Sequence, residues 1–198
     1  MIDKDTFERI KAKHGQVGSW AVWAQPRPKS RAWVADPDIL DPDKNPGLLG
    51  MLRNDVVMLG LNQSGFEIER PLSNFHQLNR GRGHDYRIAL AFAGTPYWGA
   101  YMTDLLVTLD RDSSVVARNV SISSALVDQS LPRLREQLDD LGGPPPTLIA
   151  FGGLTARLAR KYVDPAWYTG SIIEVTHYSA WQFSPTEYRD RVLAEIRA

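Results

Sequence analysis

The sequence predicts an α/β protein built on a four-stranded parallel sheet. Four apolar runs of strand length each end in small or polar residues. Val56 to Leu61 runs into Asn62-Gln63-Ser64-Gly65, and Tyr101-Met102-Thr103 into Asp104-Leu105-Leu106. Leu148 to Phe151 runs into Gly152-Gly153, and Ile172 to Thr176 into His177-Tyr178-Ser179. Helix-like stretches follow or separate most of these runs. Parallel strands need crossover connections and are buried on both faces, so apolar runs alternating with helices are their signature. Ligands of open α/β sheets bind beyond the carboxyl ends of the strands. Asn62, Asp104 and His177 are therefore expected at one crevice.

A first helix starts in Asp5-Thr6-Phe7-Glu8-Arg9-Ile10, with an Asp as cap and Gly15 as its stop. Gly18 to Gly50 is rich in Pro, Asp and Trp. Its Trp20, Trp23 and Trp33 mark a loop-rich cover over the sheet, because linkers seldom carry large apolar rings. Residues 1–54 thus read as an N-terminal helix and cover. Asp55 to Leu61 is the first strand. The long connection to Tyr101 holds one helix, Asp85 to Ala93, with Asp85 as N-cap. Arg87 is expected to face water there, and Ile88, Leu90, Ala91 and Phe92 to form the apolar face. Tyr101 to Val107 is the second strand.

Ser124 to Leu141 is helical on Leu126, Leu131, Leu134, Leu138 and Leu141, and Pro132 either kinks it or opens a second helix after Ser130. Gly142-Gly143-Pro144-Pro145-Pro146 ends it and launches the third strand. Leu154 to Tyr162 is a short helix and Ser171 to Thr176 the fourth strand. The last helix opens on a capping box, Ser184 at N-cap, Pro185 at N1 and Glu187 at N3, with Tyr188, Val192 and Ile196 as its buried stripe. The sequence has no internal repeat and no low-complexity tract, so residues 1–198 read as one domain.

Composition narrows the function. At 198 residues the chain suits one domain with a proper core. It has no cysteine, which excludes disulfides and thiolate metal sites, and its four histidines are not at metal-ligand spacing, so no metal is expected. Lys+Arg and Asp+Glu both number 23, a formal net charge of zero, which argues against tight nonspecific nucleic-acid binding but allows a local basic patch. The N-terminus lacks a basic stretch followed by an apolar core, and no apolar run reaches membrane-spanning length. A cytoplasmic protein with no membrane partner is expected; the oligomeric state is left open.

Asn62-Gln63-Ser64-Gly65 leaves a buried strand with exposed N–H groups, amides and a hydroxyl that suit an anion, a water or a base edge. An ordinary polar turn has the same composition, and the residues alone leave both readings open. His177-Tyr178-Ser179 ends its strand in the same way. A histidine there can donate to a developing anion or act as acid or base, or else be satisfied by a backbone carbonyl. Asp104, inside an apolar run, is costly unless paired; it either reads donors on a ligand or caps nearby backbone. In the connection, Asn74-Phe75-His76 offers Phe75 for stacking on a planar ring. Arg80 to Arg87 offers phosphate contacts, or is a solvated loop.

Taken in order, these pieces resemble the uracil-DNA glycosylase superfamily, particularly its mismatch-specific and single-strand-selective branches. Val57-Met58-Leu59-Gly60-Leu61-Asn62-Gln63-Ser64-Gly65 resembles the first motif, an apolar strand followed by Gly-x-Asn-Pro-Gly/Ser. Tyr101-Met102-Thr103-Asp104-Leu105-Leu106 resembles the Thr-Asn-Leu-Val strand. Pro146 to Ala156 is similar to the strand and helix start before the second motif. Glu174-Val175-Thr176-His177-Tyr178-Ser179 resembles that motif, His-Pro-Ser, and Pro185 to Tyr188 the Pro-x-x-Tyr helix after it.

The resemblance implies a three-layer α/β/α fold and hydrolysis of the N-glycosidic bond of a damaged or deaminated DNA base, without metal or organic cofactor. It implies that Asn62 positions the attacking water and His177 stabilises the departing base. Phe75 would stack on the flipped base, and Asp104 would read its edge, with Gly60, Gln63, Ser64, Tyr178 and Ser179 around the substrate. Base flipping explains why such a site needs a pocket more than a wide basic face.

Three departures shape the expectation. Gln63 and Tyr178 replace prolines of rigid loops that in the family press on the DNA backbone. Asp104 replaces an asparagine, and an ionised carboxylate accepts but cannot donate. A base read by Asp104 should therefore carry an amino group rather than the O4 of uracil. The alternatives are a catalytically silent module for a nucleotide, base or protein partner, favoured by zero net charge and both lost prolines, or a hydrolase of small nucleosides.

Overall fold

The computed structural model describes residues 2–24, 36–63, 68, 70–76, 84–110 and 112–197. In chain order the elements are α1 (Lys4–His14), β1 (Ser19–Trp20), a 3-10 turn (Pro37–Leu40), α2 (Leu48–Met51), β2 (Val56–Asn62) and α3 (Asp85–Phe92). They continue as β3 (Tyr101–Leu106), α4 (Ser113–Ile122), α5 (Ala125–Leu141), β4 (Thr147–Phe151), α6 (Gly153–Tyr162), β5 (Ile172–Val175) and α7 (Pro185–Arg197).

The chain is an α/β protein whose sheet has five strands, ordered β1-β3-β2-β4-β5. Strands β3, β2, β4 and β5 are mutually parallel, as their apolar runs predict. The purely parallel four-stranded expectation needs correcting, because β1 adds an antiparallel edge: Ser19 pairs with Met102 and Trp20 with Tyr101. Two residues show no alternation, so the N-terminal region reads as cover although part of it is sheet. Helix α4 is a second omission. Its N-cap, Asp112, accepts from Ser114 N–H at 2.8 Å, but its apolar positions are few.

Alternate residues of β2 supply two cores. Val57 and Leu59 pack with Phe7 and Ile10 of α1 and Leu134 and Leu138 of α5. Val56 and Met58 pack on the other side with Ile88 and Phe92 of α3 and Tyr188 and Val192 of α7. Helices thus flank the sheet, which satisfies the burial that parallel strands require. A buried amide ties α5 to β3: Gln137 Oε1 accepts from Tyr101 OH at 2.9 Å and from Thr103 Oγ1 at 2.8 Å.

Four local expectations meet the structure. The capping box of α7 forms, with Ser184 N–H donating to Glu187 Oε2 at 2.7 Å and Glu187 N–H to Ser184 Oγ at 3.3 Å. Pro132 lies inside an unbroken α5, where the Asp128 carbonyl that loses its helical donor belongs to an exposed residue that water can satisfy. Arg87 does not face water. It is 3 % exposed, and its guanidinium reaches main-chain carbonyls just before α7. The N-cap of α3 is His84, so Asp85 is its first helical residue.

Candidate active site at the carboxyl ends of the strands

Asp104 and Gly60 are register partners on β3 and β2. A Cβ on Gly60 would collide with Asp104 Oδ1 and come within 3.2 Å of Phe75 Cζ, so only glycine admits this approach. Carboxylate, bare backbone and aromatic ring therefore share one spot. Asn74 completes it. Its Nδ2 donates to Asp104 Oδ2 at 3.0 Å and to Val17 O at 2.7 Å, while its Oδ1 accepts from Phe75 N–H at 3.1 Å.

Phe75 has a φ of 62°, a left-handed conformation that costs an aromatic residue on the order of 1–3 kcal/mol. Trp23 Nε1–H donates to its carbonyl at 3.3 Å, and Trp23 stacks on His76, whose Nε2 is 2.9 Å from Trp20 O. The Trp-rich region thus braces the loop that carries Phe75. The ring itself is 4 % exposed and packed in the core on the α3 and α7 side.

Burial pushes the Asp104 carboxyl up to about 7; the Asn74 hydrogen bond acts against this shift and the nearby Asp85 carboxylate adds to it. The group lines a cleft of about 90 Å³ with Gln63, Thr108, Leu109 and Arg133. Asn62, two residues beyond Gly60, gives its side-chain N–H groups to Asp110 O at 2.7 Å and Thr108 O at 3.1 Å, with a weaker contact to Gln63 O at 3.4 Å. Its Oδ1 accepts no hydrogen bond among the described residues. An amide fixed through its nitrogen presents that oxygen as a fixed acceptor.

His177 follows β5. Ser179 N–H donates to His177 Nδ1 at 3.1 Å, and Ser179 Oγ lies 2.8 Å from the same nitrogen. Nδ1 is thus an acceptor and the ring proton belongs on Nε2. Burial pulls the imidazole down to about 4, with nearby His84 adding to the shift, so it is neutral at physiological pH. Gly152, between β4 and α6, has a φ of 87°, and a Cβ there would come within 3.3 Å of His177 Cβ. The missing side chain lets His177 lie against the end of the neighbouring strand.

Tyr178 connects the two halves. Its ring stacks on His177 at 4.3 Å between centroids and meets Phe151 edge-on at 5.3 Å. Burial holds its phenol well above the ordinary value, and the carboxylates of Asp85 and Asp104 add to the shift. Upstream, Thr176 N–H and Oγ1 donate to Glu195 of α7 at 2.7 and 2.8 Å, which fixes the approach to His177.

The structure therefore brings Gly60, Asn62, Gln63, Phe75, Asp104, His177, Tyr178 and Ser179 to one end of the sheet. Ser64 lies outside the described residues, as do Arg80 to Gly83. Asn74, Gly152 and Trp181 were not anticipated as site residues; Asp85 and Arg87 lie in the 80–87 segment read as offering phosphate contacts, and Arg87 is instead buried. Gly152-Gly153 was the one legible signal, since a glycine at a strand's end often marks close approach. Trp181 is 86 % exposed on the turn that follows His177. Among the described residues, no group of three or more His, Asp or Glu side chains is placed to hold a metal ion, and no helix is long and apolar enough to cross a membrane. Compared with profiles of known protein families, with curated protein sequences and with solved structures, the chain gives no match.

Proposed function

We propose that this protein is a three-layer, uracil-DNA glycosylase-like hydrolase of N-glycosidic bonds. The observation that carries the proposal is His177, its Nδ1 held as an acceptor by Ser179 N–H, set at the same sheet end as the Gly60–Phe75–Asp104 spot. Hydrolysis breaks the bond between sugar and base: the electron pair leaves with the base, the water oxygen bonds to the sugar carbon, and the proton that the water loses ends on the base. A neutral imidazole N–H is suited to the charge developing on the departing base, because it donates without needing a proton from solution. Asn62 Oδ1 would orient the water. An amide lacks the basicity of a carboxylate, so turnover should be slow.

Phe75 flanks the base and Asp104 reads its edge. DNA contact draws on Trp181, because an exposed indole beside the site is a stacking platform for an unpaired base. The test is single-turnover cleavage of labelled single- and double-stranded oligonucleotides carrying uracil, hypoxanthine, xanthine or a G·T mismatch. Product that disappears in both Asn62→Ala and His177→Ala supports the reading; no product from the folded protein overturns it.

One observation favours a second reading. Phe75 is nearly inaccessible and the cleft measures only about 90 Å³, below the usual range for ligand pockets. A free base or small nucleoside would need less opening than a flipped nucleotide, whether the protein hydrolyses it or only holds it. Salt-insensitive binding of a nucleoside distinguishes that case from salt-steep DNA binding.

A further inference from the structure

Arg87 is a charged residue buried in α3 with an unusual set of partners. Its Nη1 donates to Ala180 O at 2.9 Å and its Nη2 to Phe183 O at 2.7 Å, with Ser184 O at 3.5 Å. Its guanidinium lies 4.8 Å from the centre of the Tyr188 ring. Among the described residues no carboxylate pairs with it. A buried guanidinium is expensive, and here main-chain carbonyls and an aromatic face offset that cost.

Those carbonyls belong to the turn that carries the candidate catalytic imidazole. Ala180 N–H donates to His177 O at 3.0 Å, and Phe183 N–H to Ala180 O at 3.3 Å. One planar fork therefore clamps both ends of the segment from Ala180 to Phe183. That segment starts one residue after Ser179, which fixes His177 Nδ1, and carries Trp181. Arg87 N–H also donates to His84 O at 2.8 Å, tying the same residue to the start of α3 beside His177.

We propose that Arg87 is a positioning residue: its guanidinium sets the turn after His177 and thereby the orientation and tautomer of that imidazole. The inference rests on the glycosylase reading for its consequence in catalysis, but the geometry is independent of the substrate. Lysine cannot substitute, because a single ammonium lacks the fork that spans two carbonyls.

The test follows the His177 ring nitrogens by NMR in ¹⁵N-labelled full-length protein, beside Arg87→Met and Arg87→Lys. The groups facing His177 are His84, Tyr178 and Ser179, and none is altered in these variants. In the wild type, Nδ1 should show an unprotonated acceptor and Nε2 a protonated nitrogen. In Arg87→Met the two signals should collapse toward the averaged pair of an exchanging imidazole, with the Phe183 amide losing protection from hydrogen exchange. Arg87→Lys should fall between the two. His14, far from the turn, should keep its wild-type signals in both. Wild-type His177 signals in a folded Arg87→Met, or in Arg87→Lys should the first variant not fold, overturn the proposal. Because no turnover is read, failure here is distinct from absence of glycosylase activity.

Discussion

Asn74 and Asp104 are joined by a 3.0 Å hydrogen bond in which the amide also reaches Val17 O, so the carboxylate is held by a side chain that is itself fixed. The bond lowers a carboxyl that burial has raised to about 7. Asn74→Leu should therefore move the Asp104 midpoint further up, which carboxyl ¹³C titration reads directly. An unchanged midpoint would remove Asn74 from the site.

The same shift predicts how stability follows pH. An unfolded aspartate ionises near 3.9, whereas folded Asp104 holds its proton up to about 7. Across that window the folded state binds more protons, so the Asp104 contribution to stability falls as pH rises from about 4 to about 7. Asp104→Asn should flatten this part of the profile and be more stable than wild type at pH 8, as denaturant midpoints would show. At pH 8, where Asp104 is ionised, the same variant should cleave uracil faster, since the amide can donate to O4 and the carboxylate cannot.

His177 gives the opposite sign. Its folded value lies near 4 and the unfolded one near 6.5, so between them the unfolded state takes the proton. Stability from this group is complete above about pH 6.5 and is lost as pH falls toward 4. His177→Gln should lose less stability than wild type between pH 7 and pH 5. Equal losses would mean that the imidazole is not held neutral.

Gly152→Ala should be destructive out of proportion to its size. The φ of 87° and ψ of 151° suit glycine almost alone, a cost on the order of 1–3 kcal/mol for alanine. The methyl also meets His177. Cleavage in the folded variant should drop at least as far as in Gly153→Ala, whose added Cβ meets the exposed Glu174 side chain at 3.1 Å instead.

Trp181→Ala should leave the thermal midpoint unchanged, because the ring is 86 % exposed and buries little. Its affinity for single-stranded DNA should fall by about 1–3 kcal/mol, the usual loss for one stacking aromatic. Unchanged affinity, measured at one fixed salt concentration, would take Trp181 out of the interface.

Strands β2, β3 and β4 were legible because burial leaves long, mostly apolar runs, and β5, which carries the exposed Glu174, by its place in the same alternation with helices. The capping box of α7 was legible because its partners stand three residues apart. What was not legible shares a different physics. Strand β1 has two residues and no period, and its identity depends on Met102 and Tyr101 far along the chain. Arg87 looks like any polar residue on an amphipathic helix, since its partners are main-chain carbonyls that any residue type supplies. The site was half visible. Asn62, Asp104 and His177 announce themselves by interrupting apolar runs, but Asn74 and Gly152 act through contacts that local composition does not encode.

The pairing of Trp20 with Tyr101 spans 81 positions of the chain (101 minus 20). During synthesis the edge strand must wait for its partner to be made, roughly 4–16 seconds at about 5–20 residues per second. Throughout that interval Trp20, fully buried in the finished protein, lacks the Tyr101 ring that meets it edge-on at 5.0 Å. A truncation that ends before Tyr101 should aggregate rather than fold.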